Sequence, residues 1–173
     1  KTLIAKRVSE STPINRFGIL EISPKDLAIE AKGDYILPTI ECIDGQLITK
    51  KLALKPKKAN NNWCSDPASD VLKMVVVNRY NQAPIAKAFI HKFGLSNGAI
   101  ASSVAHDSHN IVAVGVDDES LARAINLIIE RKGGVSCVGH QGERILPLPI
   151  AGLMSGDDGY AVAEAYTAID QAA

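Results

Sequence analysis

Residues 71–77, Val-Leu-Lys-Met-Val-Val-Val, constrain the fold more than any other stretch of this chain. Six of the seven are apolar, four are β-branched, and polar residues bound the run, the pattern of a strand buried on both faces. Such a strand needs neighbours on each side, and the sequence offers them. Residues 85–93, ending at Gly94, residues 98–105 and residues 111–115 are three further apolar runs of strand length. A helix follows. Asp117 or Asp118 caps its start, Glu119 sits at the positive end of its dipole, Leu121, Ile125, Ile128 and Ile129 share one face, and Arg131-Lys132 precede the stop Gly133-Gly134. Residues 135–138 and 144–146 then read as a hairpin about Gln141-Gly142. Leu146-Pro147-Leu148-Pro149-Ile150 is a stiff extended segment, 156–159 a loop, and the alanine-rich residues 160–172 a terminal helix.

The first third is less regular. Residues 3–8 suit a strand, and Ser23 before Pro24 suits the N-cap of a helix about one turn long. Residues 35–43 and 46–54 flank Asp44-Gly45, a tight-turn signal, and so predict a hairpin. Residues 55–69 shift to Lys, Pro and Asn, as in an exposed loop or subdomain boundary, with Trp63 as its anchor to the body. The expected fold class is therefore α+β: a mixed sheet with flanking helices, a layered α/β body from about Asp70 onward, preceded by a small β-rich segment.

Composition narrows the function. With 173 residues, 46% of them apolar, the chain can bury one substantial core. Nineteen basic residues balance nineteen acidic ones, which argues against nucleic acid or an anionic membrane as a partner held by bulk charge. No apolar run approaches the roughly 18 residues of a membrane span, and no secretory signal pattern opens the chain, so a cytoplasmic location is expected. Cys42, Cys64 and Cys137 are odd in number and far apart, as expected of reduced structural thiols. The chain opens on Lys1 rather than methionine, as a piece of a longer protein would.

Chemistry concentrates in Ser102-Ser103-Val104-Ala105-His106-Asp107-Ser108-His109-Asn110, between two predicted strands and so in a tight connection at one edge of the sheet. His106 and His109 have H-x-x-H spacing and could chelate a metal with support from Asp107. The zincin H-E-x-x-H is absent, however, and no third ligand follows at a recognisable distance. A nucleophilic triad can be drawn from Ser102, Ser103 or Ser108 with a histidine and Asp107, but the G-x-S-x-G elbow is missing. The plain alternative is that His106, Asp107 and Asn110 cap strand ends by bonding to backbone. Neither phosphate-binding glycine pattern is present around Gly94 and Gly98, and Asp157-Asp158-Gly159 lacks the other ligands of a calcium loop. Met154-Ser155 could line a pocket.

Two long stretches carry a resemblance: residues 94–110, Gly-Leu-Ser-Asn-Gly-Ala-Ile-Ala-Ser-Ser-Val-Ala-His-Asp-Ser-His-Asn, and residues 146–155, Leu-Pro-Leu-Pro-Ile-Ala-Gly-Leu-Met-Ser. Together with residues 43–49 and 65–77 they closely resemble the C-terminal domain of the bacterial adenine deaminases, members of the amidohydrolase superfamily. The resemblance covers most of the chain. Residues 78–84, Asn-Arg-Tyr-Asn-Gln-Ala-Pro, depart from it, since many relatives have a histidine after the arginine and then a Thr-Gly step.

The resemblance implies hydrolysis of adenine to hypoxanthine and ammonia by a metal-bound hydroxide at a binuclear centre of manganese or iron, or else zinc, in a (β/α)8 barrel. The barrel and its H-x-H motif are absent from this sequence. Residues 1–58 would then be the remnant of a small β domain that follows the barrel, and residues 59–173 the C-terminal α+β domain. On this reading Ser102, Ser103, His106, Asp107, Ser108, His109 and Asn110 lie near the substrate and help to close the site, while no metal is bound by the chain itself. The partners implied are adenine, the missing barrel and further copies in a homo-oligomer. The place in metabolism is purine salvage or adenine catabolism. Assembly alone, or nucleobase binding without catalysis, is the alternative.

Overall fold

The computed structural model describes residues 14–33 and 35–173; the strand expected at residues 3–8 lies outside them. The β-branched run forms a strand over Val71–Val77, as its composition predicts, and an eight-stranded sheet grows on both sides of it. In chain order the elements are β1 (Leu37–Glu41), β2 (Lys50–Leu54), β3 (Lys57–Ala59), β4 (Asn62–Cys64), β5 (Val71–Val77), β6 (Ala86–His91), β7 (Ala99–Ser102), β8 (Ile111–Gly115), α1 (Asp118–Arg131), β9 (Gly134–Gly139), β10 (Gly142–Pro147) and α2 (Gly159–Asp170). The sheet order is β10-β9-β7-β8-β5-β6-β1-β2, antiparallel throughout except where β1 runs parallel to β6. This is the α+β mixed sheet with flanking helices expected from the sequence, and no closed barrel is formed among the described residues.

Alternation along the central strands sorts their side chains onto two faces. On one face Val75 and Val77 of β5, Ala99 and Ala101 of β7, and Ile111 and Ala113 of β8 pack against Leu121, Ile125 and Ile128 of α1. The alanines on the strands let the helix approach closely. At Gly115 the fit leaves no room at all, for a Cβ there would stand 2.7 Å from Leu121 Cγ. Asp117 is the N-cap, its carboxylate accepting from Ser120 N–H at 2.6 Å. At the other end Lys132, rather than a glycine, takes the left-handed conformation (φ 55°), and Gly133 N–H closes the turn onto Ile128 O.

On the opposite face α2 packs over β9 and β10 through Ile169, Cys137, Leu146 and Leu148. Leu72, Ile90, Leu95 and Val114 form a second cluster there. Burial pushes the Cys42 and Cys137 thiols up, away from the reactive thiolate. All three cysteines are free.

Several boundaries differ from the sequence expectation. Residues 55–69 are not a plain loop: β3 and β4 pair as a hairpin whose turn is Asn60-Asn61, both at positive φ (48° and 63°). Asparagine tolerates that conformation, and Trp63, 2% exposed, anchors the hairpin to Val71 and Phe89. The β1–β2 ladder stops at Glu41 and Lys50, so Asp44-Gly45 turns within a wider connection rather than a tight one. The run at 98–105 leaves the ladder after Ser102, because Ser103 turns its side chain into backbone contacts of its own. The one-turn helix appears as a 3₁₀ turn over Pro24–Leu27, with Ser23 and Asp26 bonding reciprocally.

Candidate functional site

β7 and β8 lie inside the sheet, so residues 103–110 sit at an end of it and not at a lateral edge, as the sequence reading had it. Two other connections come to the same end. Val77 pairs with Ile111, which carries Asn78, Arg79 and Tyr80 alongside the loop, and the pairing of Pro147 with Gly134 brings residues 148–154 to its other side.

Two buried side chains hold this cluster together. Ser103, fully buried, accepts from Gly134 N–H at 2.9 Å and donates to Gly152 O at 2.6 Å. Arg79, 4% exposed, spends its guanidinium entirely on neutral acceptors. Nε donates to His109 O at 2.6 Å, Nη1 to Asn15 Oδ1 at 3.0 Å and Arg16 O at 3.5 Å, and Nη2 to Ala151 O at 2.7 Å and Tyr80 Oη at 3.1 Å. Its charge lies over the rings of Phe17 and Tyr80, 5.0 and 4.5 Å from their centroids. Tyr80 Oη in turn donates to Ser108 O at 3.1 Å.

The loop itself is bent sharply. Asp107 and His109 both have positive φ (65° and 49°), and so does Ala151 opposite (56°). Non-glycine residues in this region carry strain that surrounding structure must hold in place. His109 N–H bonds to Ala105 O at 2.8 Å, leaving its ring free of that duty. His109 Nδ1 and Asn110 Oδ1 are buried without a partner among the described residues, a costly arrangement in a settled structural loop.

The seven residues singled out in the sequence therefore separate. Ser102, His106 and Ser108 come together on the rim of an apolar concavity of about 490 Å³, whose floor includes Met74, Val76, Ile100, Val112 and Val135. Asp107 is in solvent and pairs with the equally exposed His106, Nδ1 to Oδ1, at 3.1 Å. Ser103 belongs to the core. His109 and Asn110 form the partly buried base of the loop. The hydroxyls are engaged with backbone: Ser102 Oγ accepts from Val104 N–H at 3.0 Å and Ser108 Oγ from Asn110 N–H at 3.5 Å. A triad is not assembled from them. Among the described residues no group of three or more His, Cys, Asp or Glu side chains could hold a metal, so the H-x-x-H spacing does not mature into a metal centre there.

Sequence reasoning missed Arg79 and the structural role of Ser103. An arginine two residues past a β-branched strand was the available signal for the first; the second depends on partners 31 and 49 residues away.

Fold and site together define an α+β domain that presents a strained polar loop beside an open apolar face. The chain belongs to the adenine deaminase C-terminal domain family, which matches residues 46–173. It is 46% identical over 158 residues to an adenine deaminase of Salinibacter ruber, covering 91% of this chain and 29% of that protein. To an adenine deaminase of Methanosarcina acetivorans it is 47% identical over 175 residues (97% and 32%), and to one of Methanothermobacter thermautotrophicus 38% over 165 residues (95% and 31%). The chain thus spans under a third of the length of these relatives. Among the described residues no helix is long and apolar enough to cross a membrane.

Proposed function

We propose that this chain is the C-terminal part of a metal-dependent adenine deaminase, which hydrolyses adenine to hypoxanthine and ammonia in the cytoplasm, in purine salvage or adenine catabolism. The reading rests on the family membership and on one feature of the loop: buried His109 Nδ1 and Asn110 Oδ1 have no partner, on a backbone held at positive φ. In the full-length enzyme the loop closes or completes the active site of a barrel supplied by the rest of the polypeptide. The divalent metals, manganese or iron or else zinc, belong to that barrel; residues 1–58 are the tail of a small β domain, and 59–173 the C-terminal domain.

Two experiments test this. The purified 173-residue chain with adenine and added manganese should form no hypoxanthine, and measurable product would overturn the division of labour. In the full-length enzyme His109→Ala should lower turnover far more than stability; wild-type kinetics would return the loop to a purely structural role.

A second reading, assembly of a homo-oligomer, is favoured by the open part of the apolar concavity formed by Met74, Val76 and Val112; Ile100 and Val135 at its margin pack toward the α2 cluster. Light scattering on the chain decides it, a clean monomer counting against.

A further inference from the structure

We infer that Arg79, with Tyr80, is the positioning residue for His109, holding the strained loop in the one conformation that aims its imidazole. This deepens the reading above and rests on it. Arg79 bonds chiefly to strained backbone. Its two shortest hydrogen bonds, 2.6 and 2.7 Å, go to the carbonyls of His109 and Ala151, and both of these residues have positive φ. Left-handed backbone at a non-glycine residue costs of order 1–3 kcal/mol and persists only when its surroundings enforce it. The guanidinium fork enforces two such positions at once, from one rigid plane.

The neighbourhood is built around that plane. A Cβ on Gly152 would stand 2.6 Å from Arg79 Nη1, so the facing loop can approach the guanidinium only with glycine there, and Gly152 itself has φ +73°. Tyr80 extends the clamp by one residue, donating to Ser108 O while accepting from Arg79 Nη2. The carbonyls of Ser108 and His109 are thus both gripped from the same side. The backbone of His109 is fixed at N–H and at C=O, while its ring nitrogen is left without a partner. No carboxylate pairs with Arg79 among the described residues. Its role is to hold backbone in place rather than to balance a charge.

Arg79→Lys keeps the cation and removes the fork. In the full-length enzyme it should lower kcat about 100-fold, the penalty of a roughly 1 Å misplacement, with KM changed by less than about threefold and the protein still folded. Because Arg79 acts through His109, the double variant Arg79→Lys/His109→Ala should be no slower than His109→Ala alone. In the 173-residue chain, imidazole ¹⁵N spectra should show the His109 signals of Arg79→Lys moving to those of the exposed His106, with the Trp63 indole signal unmoved. Tyr80→Phe should give the same change in smaller measure. Additive losses in the double variant, or a His109 spectrum indifferent to Arg79→Lys, would overturn the inference and leave the site reading standing. Wild-type turnover in His109→Ala would overturn the site reading, and this inference with it.

Discussion

Two buried cations stand six residues apart on and just beyond β5, and the protein neutralises them in opposite ways. Lys73, 1% exposed, faces α1 and the 3₁₀ turn at Pro24–Leu27; its ammonium meets Asp118 Oδ1 at 2.5 Å and Leu27 O at 3.1 Å. Arg79, 4% exposed, meets no carboxylate among the described residues and is held by carbonyls, an amide oxygen and a phenol. The ammonium joins strand to helix N-terminus, where the backbone is relaxed. The guanidinium joins three loops, where the backbone is strained. A paired buried charge serves the fold, whereas one distributed over backbone carbonyls serves the shape of a loop. Substitutions at the two sites should therefore separate stability from turnover.

The largest loss of stability is expected at Asp118→Ala, which leaves the Lys73 ammonium buried without its counter-charge. Removing one member of a buried pair costs about 3–5 kcal/mol, and because the Asp118 side chain is 25% exposed, water relieves part of this and sets the figure at the low end. A drop of about 3 kcal/mol lowers Tm by about 6–12 °C in a chain of this size. Turnover of the full-length enzyme below that temperature should be unchanged. Thermal denaturation and kinetics on the same preparation check both halves; lost turnover at full stability would erase the contrast with Arg79.

Next comes Ser103→Ala, which tests whether the loop cluster depends on the guanidinium alone. The change strands Gly134 N–H and Gly152 O in the core, at a cost of about 1–3 kcal/mol, read as a Tm lower by about 2–12 °C. Since Gly152 O is one of its two partners, the loop carrying Ala151 also loosens, and turnover should fall together with stability. A stability loss with no loss of turnover would show that Arg79 secures the loop by itself.

The contrast between the two cations also marks how far sequence reaches into this fold. β5 and β8 match their expected bounds residue for residue, because a β-branched run between polar residues has one economical use. α1 starts at its aspartate cap for a similarly local reason. The parallel pairing of β1 with β6 and the β3–β4 hairpin were not legible. The first joins segments about fifty residues apart with no local signature, and the second has only Trp63 buried, its turn hidden in a polar Asn-Asn. At the site, the concentration of polar groups in residues 102–110 was visible, but their roles were not. Ser103 looks like its neighbour Ser102 in sequence and differs only in which backbone it meets. Arg79 acquires its role from carbonyls 30 and 72 residues away.

The smallest effect belongs to a third cation, which sharpens the comparison from outside the core. Arg123 on α1 grips Glu143 of β10 through Nε and Nη2, both at 2.8 Å, and donates through Nη1 to Glu130. The contact to Glu143 is bidentate, yet the Arg123 and Glu143 side chains are 39% and 43% exposed. An exposed pair is worth about 0.2–1 kcal/mol, so Glu143→Gln should lower Tm by only about 0.5–4 °C. The Arg123 guanidinium holds the Glu143 carboxyl below the usual glutamate range. A carboxylate whose folded pKa is depressed stabilises in full above its unfolded pKa of about 4.3, and that contribution is lost as pH falls from there through the lower folded value. Melting curves of wild type and Glu143→Gln should therefore differ at neutral pH and converge in acid. A gap as wide as that of Asp118→Ala would mean that charge pairing rather than burial sets the value of these contacts, and the distinction between Lys73 and Arg79 would lose its physical basis.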